Sequence, residues 1–142
     1  MPVRSMSRTF TCATRCCWAR SASATGSISS ATRTRCGLLR NGPYLVEINL
    51  ISNLLLEYVK DYSQHPFPEY LRIGIPVALS TDDRGMWDSN MTDEYFVAVR
   101  EFNLSWSELV KLGRNSLRYS FVDEPTKQRL LTDYDKRVAA FA

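Results

Sequence analysis

Two short runs constrain this chain most. Residues 44–50 (Tyr-Leu-Val-Glu-Ile-Asn-Leu) and residues 76–80 (Pro-Val-Ala-Leu-Ser) are nearly continuous apolar and β-branched sequence, without the alternation of a half-exposed strand. Runs of that kind are buried on both faces, which belongs to parallel sheets covered by helices. Pro76 suits the first residue of its strand, where a missing N–H does least harm. The sequence around them alternates accordingly. Residues 54–60 predict a short helix. A second helix is predicted over 66–73, with Pro66 near its start and Gly74 just past its end.

Three helices are predicted after the second strand. The first spans 92–102, with Val97, Val99 and Phe102 on its apolar side. The second opens at Ser105 with Glu108 three residues on, a capping box in which each side chain satisfies a free backbone N–H. Its apolar set is Leu109, Leu112, Leu117 and Phe121. The third opens at Asp123-Glu124-Pro125 and continues through Leu130, Leu131 and Tyr134 to about residue 140. Strand–helix–strand–helix order implies a parallel α/β fold. Two parallel strands are not self-sufficient, and a (β/α)8 barrel takes about 250 residues. Residues 38–142 therefore read as the C-terminal part of a (β/α)8 TIM-type barrel, incomplete, with C-terminal helices.

Charge divides the chain at the same place. Its 142 residues carry a net charge of +3, yet the first acid is Glu47. Seven arginines and no acid precede it. Eleven basic and fifteen acidic residues follow, leaving that part at −4. The basic excess thus belongs to residues 1–40 and gives no reason to expect a nucleic-acid surface on the domain. All four cysteines (Cys12, Cys16, Cys17, Cys36) lie before residue 38, so the domain has no disulfide framework and no cysteine metal site. No apolar run approaches the length of a membrane span and no secretory leader pattern follows Met1. A cytoplasmic location is the expectation.

Residues 1–37 are almost wholly Ser, Thr, Ala, Arg and Cys, without apolar periodicity, and are expected to lack stable structure. A transit peptide would need an amphipathic pattern, a zinc finger a second cysteine pair, and a basic nucleic-acid arm interleaved aromatics. The preferred reading is translation out of frame. Codons formed from the third base of one residue and the first two of the next turn Trp18-Ala19 into Gly with no freedom. The same shift permits the end of a His codon followed by Ala-Gly-Glu across Met1 to Arg4, and Ile-Gly-His-Gly within residues 22–36. None of those recovered residues is present in the chain. Residues 1–37 are therefore set apart from a domain at 38–142.

Chemistry points to Ser80-Thr81-Asp82-Asp83, directly after the second strand. In a parallel barrel that is the mouth, where active sites sit. Adjacent carboxylates repel unless a cation or hydrogen bonds compensate. A divalent metal would do so; an Asx turn capping the next segment is the plain alternative. Three further groups of residues accompany this motif: His65-Pro66-x-Pro68-x-Tyr70-Leu71, Gly74-Ile75-Pro76-Val77 and Thr92-Asp93-Glu94-Tyr95. Gly85-Met86 and Arg114-Asn115-Ser116-x-Arg118-Tyr119-Ser120-Phe121 complete the set.

In that order the motifs resemble the adenosine deaminase family over residues 38–134. The resemblance implies a zinc-dependent barrel that hydrolyses the 6-amino group of adenosine or a related aminopurine. It implies Asp82 as zinc ligand and catalytic residue in contact with the metal-bound water, and Asp83 as a substrate-binding residue on the purine ring. It implies a purine nucleoside as the parent enzyme's partner, with neither nucleic acid nor membrane. The family's His-x-His, His-Ala-Gly-Glu and His-Gly are absent from the chain as written, and Arg84 stands where the family often has Pro. Hence the expectation is a fragment inactive alone and a doubtful zinc binder. The alternative is a non-catalytic interaction module, self-associating through exposed barrel edges. His65, the one histidine, is expected to be packed or solvated. Asn53 reads equally as a mouth residue or a turn cap. Trp87 and Trp106 read as packing or rim aromatics, and Lys127, Arg129, Lys136 and Arg137 as a solvated helix face.

Overall fold

A computed structural model of the protein describes the backbone of residues 8–11 and 30–141, with side chains from Cys36 to Phe141. Three strands run in the order β1 (Arg8–Thr11), β2 (Tyr44–Ile48), β3 (Val77–Leu79), and both pairs are parallel. Arg8 stands opposite Tyr44, and Val46 opposite Val77. Helix α1 (Ser30–Asn41) lies between β1 and β2 in the chain. The β2–β3 crossover contains α2 (Leu50–Leu55), a 3-10 turn at Tyr62–Gln64 and α3 (Phe67–Arg72). After β3 come α4 (Arg84–Trp87), α5 (Met91–Phe102), α6 (Trp106–Arg118) and α7 (Glu124–Phe141).

The two apolar runs behave as their composition requires. All three residues of β3 are buried, as are Leu45, Val46 and Ile48 of β2. Around them pack Leu50, Phe67, Tyr70, Ile75, Val97, Ala98 and Leu112 in one core. At Gly74 and Ser105 local chemistry acts as expected. Gly74 leaves α3 at φ 77, a left-handed turn that a side chain would disfavour. Ser105 and Glu108 form the capping box of α6, and Asn90 and Asp93 form another at α5.

Several expectations need correction. Strand β1 and most of α1 fall within residues 1–37, where no regular structure is expected. The strand is held by backbone pairing to β2, which needs no side-chain pattern, and α1 packs Cys36 and Leu39 against the core. Residue 50 is not in a strand. The chain leaves the ladder after Ile48 and enters α2 at Leu50, so the helix predicted over 54–60 sits earlier and ends at Leu55. Val99 is 41% exposed, because two residues along a helix turn through about 200° from buried Val97. Phe121 is 74% exposed, since α6 stops at Arg118.

The last two helices clasp β3 and each other. Ile48 and Pro76 carbonyls serve the β2–β3 ladder through Ser80 and Val46 N–H, so the alternation of a strand turns the Val77 carbonyl to the opposite edge. Asn115 of α6 donates its Nδ2 to that carbonyl at 2.9 Å, covering part of the edge expected to lie open. On α6, Tyr134 of α7 donates its hydroxyl to the Val110 carbonyl at 2.9 Å. A Cβ on Gly113 would lie 2.5 Å from the Tyr134 hydroxyl oxygen, so the glycine is what lets the ring reach the helix backbone. Gly113→Ala should therefore lower stability by about 1–3 kcal/mol through overpacking, and Tyr134→Phe by about 1 kcal/mol through the lost hydrogen bond. Urea denaturation of the two variants beside the parent measures both; a neutral Gly113→Ala would contradict this packing.

Candidate active site

The C-terminal ends of β2 and β3 are stitched together. Ser80 donates its backbone N–H to the Ile48 carbonyl at 2.9 Å, and Asn49 donates Nδ2 to the Ser80 carbonyl at 3.1 Å. Both strands therefore deliver their following residues to one place: α2 directly after Asn49, and Thr81-Asp82-Asp83 after Ser80. Asp82 has φ 55, a left-handed conformation that costs a side-chain-bearing residue about 1 kcal/mol. Ser52, buried on α2, donates its hydroxyl to Asp82 Oδ2 at 2.9 Å and fixes the carboxylate. Strain and anchor together hold Asp82 turned back toward α2 while it remains exposed to solvent.

Asp83 occupies the cap position of α4 through its backbone only. Its carbonyl accepts from Met86 and Trp87 N–H at 3.0 and 3.2 Å, whereas its side chain makes no cap bond and is exposed. The plain Asx-cap reading of the motif thus does not describe this side chain. Arg84 and Met86 are exposed beside it. Trp87 is half-buried, with its indole N–H without a protein partner; Trp106 is a surface residue.

The residue that sequence reasoning passed over is Glu94. It stood in a motif without a role, and an acid in the first turn of α5 ordinarily reads as a surface complement to the helix dipole. Here its side chain is fully buried. It accepts from the Leu50 N–H at 2.8 Å and the Ile51 N–H at 3.2 Å. Those are free donors at the start of α2, where Asn49 supplies no side-chain cap. Burial pushes the Glu94 carboxyl up to about 7; the two backbone N–H groups oppose that shift, and the charges of Asp93 and Asp82 add to it.

His65 and Asn53 lie elsewhere in this neighbourhood and serve each other. Asn53 Nδ2 and His65 Nε2 are 3.0 Å apart, and His65 Nδ1 accepts from the Phe67 N–H at 3.1 Å. The histidine is packed, and burial depresses it to about 4. Of the expected solvated strip, Lys127 pairs with Glu124 at 3.5 Å and Arg137 with Asp133 at 2.9 Å, while Arg129 and Lys136 are exposed.

Among the described residues no three His, Cys, Asp or Glu side chains come together in a way that could hold a metal ion. Asp82 is the one expected ligand present, and both nitrogens of His65 are committed to other contacts. A zinc ion does not fit this donor set, which is short of the three protein ligands that even an open catalytic site uses. Nor is any helix among the described residues long and apolar enough to cross a membrane.

Residues 30–137 match the family model described as adenosine deaminase. The chain belongs to the adenosine deaminase family. It is 33% identical over 96 residues to aminodeoxyfutalosine deaminase of Streptomyces coelicolor, covering 68% of this chain and 25% of that protein. It is 36% identical over 93 residues to adenosine deaminase of Plasmodium gallinaceum, covering 66% and 26%. Among solved structures, Arabidopsis ADAL complexed with IMP superposes with a TM-score of 0.70 at 27% identity, covering 81% of this chain and 33% of that one. The fold is α/β, part of a (β/α)8 barrel with C-terminal helices. The chain spans about a quarter of the length of the curated relatives it matches and about a third of the solved structures.

Two buried groups titrate here with opposite effects on stability. Glu94 holds its proton more tightly when folded, so its contribution is full below the ordinary carboxyl value and is lost as pH rises through about 7. His65 refuses a proton when folded, so its contribution is full above about 6.5 and is lost as pH falls toward 4. Between pH 5 and 6.5 the two slopes nearly cancel. Glu94→Gln removes one of them and should leave stability about 1–2 kcal/mol lower at pH 5 than at pH 6.5, on top of a general loss from the weakened cap. Urea midpoints at the two pH values test this; equal midpoints in the variant would show that Glu94 does not titrate in this window.

Proposed function

We propose that this chain is the portion of an aminopurine-deaminating hydrolase that carries the aspartate pair of the barrel mouth, and that by itself it does not catalyse. In this reading Asp82 is the metal-ligating, catalytic carboxylate and Asp83 the residue that hydrogen-bonds the purine ring. The observation that carries the reading is Asp82 itself: a left-handed, exposed aspartate at the end of β3, fixed by Ser52. Strain of that kind clusters where a side chain must be aimed rather than merely accommodated. Asp83 supports it by standing at a helix start without using its carboxylate there.

The substrate class is a 6-aminopurine nucleoside or nucleotide. Relatives named for adenosine and aminodeoxyfutalosine and a solved relative complexed with IMP support this reading. A zinc ion, were one held by a complete set of ligands, would supply Lewis-acid activation of water. This chain contributes one aspartate toward such an ion, and its only histidine is buried against Asn53 and Phe67. The isolated chain should show no measurable deamination of adenosine and no tight zinc binding. Absorbance of adenosine under added zinc, with the purified protein, tests this. Robust turnover that Asp82→Ala abolishes would overturn the inactivity and leave the assignment of Asp82 standing.

Residues 1–37 enter the same reading as a stretch translated out of frame. Their composition, free of acids and of lysine, and the Gly codon forced at Trp18-Ala19 support it. Sequencing the coding DNA through codon 41 should reveal one surplus or two missing bases near Gly37, with His-Ala-Gly-Glu and Ile-Gly-His-Gly in the neighbouring frame. Stop codons in that frame would rule the proposal out.

A further inference from the structure

We propose that His65 is an acid-sensitive latch, which holds the segment 56–65 and helix α3 against the rest of the fold and releases them when its Nδ1 takes a proton. The geometry dictates one tautomer. Nδ1 accepts the Phe67 N–H, so it carries no hydrogen, and the ring proton of the neutral imidazole is on Nε2. Nε2 must then donate to Asn53, whose amide serves when its oxygen faces the ring; the two ends of an amide are interchanged by a half-turn. One neutral ring thus links α2, through Asn53, to the first N–H of α3. That N–H has no other cap, because Pro66 provides no side-chain acceptor.

The surroundings make the latch depend on a neutral ring. His65 is 5% exposed and meets Phe67 and Phe102 edge-on at 6.4 and 6.2 Å between centroids. Tyr62 meets Phe102 edge-on at 6.2 Å between centroids. Burial is the one cause that depresses the imidazole, with no charge contributing to its shift. The nearest ionisable groups act elsewhere. Glu94, Glu101 and Arg100 act on the Tyr62 hydroxyl, and the Asp61 carboxylate is held low by the Ser63 side chain and by the Ser63 N–H that it accepts. A proton on Nδ1 would set N–H against the Phe67 N–H and leave a cation without a counter-charge. The alternative state turns the ring out to water, and with it go the cap of α3 and the Asn53 contact. The segment set free is exposed along most of 55–61 and adjoins α2, which also carries Ser52. The inference rests on this geometry and not on the deaminase reading.

His65 is the only histidine, so its imidazole C–H signal in a proton–carbon NMR titration of the full chain is unambiguous. It should titrate near 4 rather than near the ordinary 6.5. Amide hydrogen exchange is the second readout. Openings that expose His65 should become roughly sixtyfold more frequent between pH 7.0 and pH 4.5, beyond the change in intrinsic exchange rate. That increase should appear at Phe67, Tyr70 and Ile75. It should not appear along α7, which opens without exposing the ring. In His65→Gln the pH dependence at those amides should vanish. A histidine titrating near 6.5, equal pH responses in α3 and α7, or an unchanged response in His65→Gln would each overturn the latch. Should the variant fail to fold, the titration and the α3–α7 comparison in the parent chain decide.

Discussion

The architecture of the mouth depends on one buried carboxylate. Glu94 reaches from α5 to the two leading N–H groups of α2, and α2 begins only one residue, Asn49, after β2 ends. Without that acceptor, two donors would be buried unpaired, at roughly 1–3 kcal/mol each. The helix would then have reason to start later, as its own sequence suggests. Starting at Leu50 puts Ser52 within reach of Asp82, and Asn53 within reach of His65. A single long-range interaction, spanning more than forty residues of chain, thus sets the register of every side chain that α2 presents.

Three parallel strands bring their ends to one side, and the loop after β3 turns an aspartate back over α2. Among the described residues no group of three His, Cys, Asp or Glu side chains gathers there. The one histidine is spent on holding the crossover between β2 and β3. The anchoring of Asp82 is nonetheless intact, because it depends only on α2 and α5.

Particular residues show how far sequence reasoning reaches. Both apolar runs, the Ser105–Glu108 capping box and the glycine after α3 are local signals, and each structure they announce is present. The Thr-Asp-Asp motif was legible as a mouth feature from its position after a buried run. Failures occur where a distant group decides. Leu50 looks like a strand residue until Glu94 claims its N–H. Val99 looks like core until the phase of α5 is set by Val97 and Ala98. Strand β1 has no signature at all, because a ladder made by backbone atoms leaves none in side chains.

By itself, then, the sequence determined the parallel α/β class, the place of the aspartate pair and the family, since each follows from local pattern or ordered motifs. It also determined that the chain has a single histidine and an adjacent Asp82-Asp83 pair directly after a buried run. Only the tertiary structure decided that Glu94 is a buried cap, that Ser52 holds Asp82, and that His65 is locked between Asn53 and Phe67. Those are contacts between residues 12 to 44 positions apart or between a ring and a particular backbone N–H. Burial and partner are properties of the folded neighbourhood, and they convert a surface-type glutamate and an ordinary histidine into structural elements.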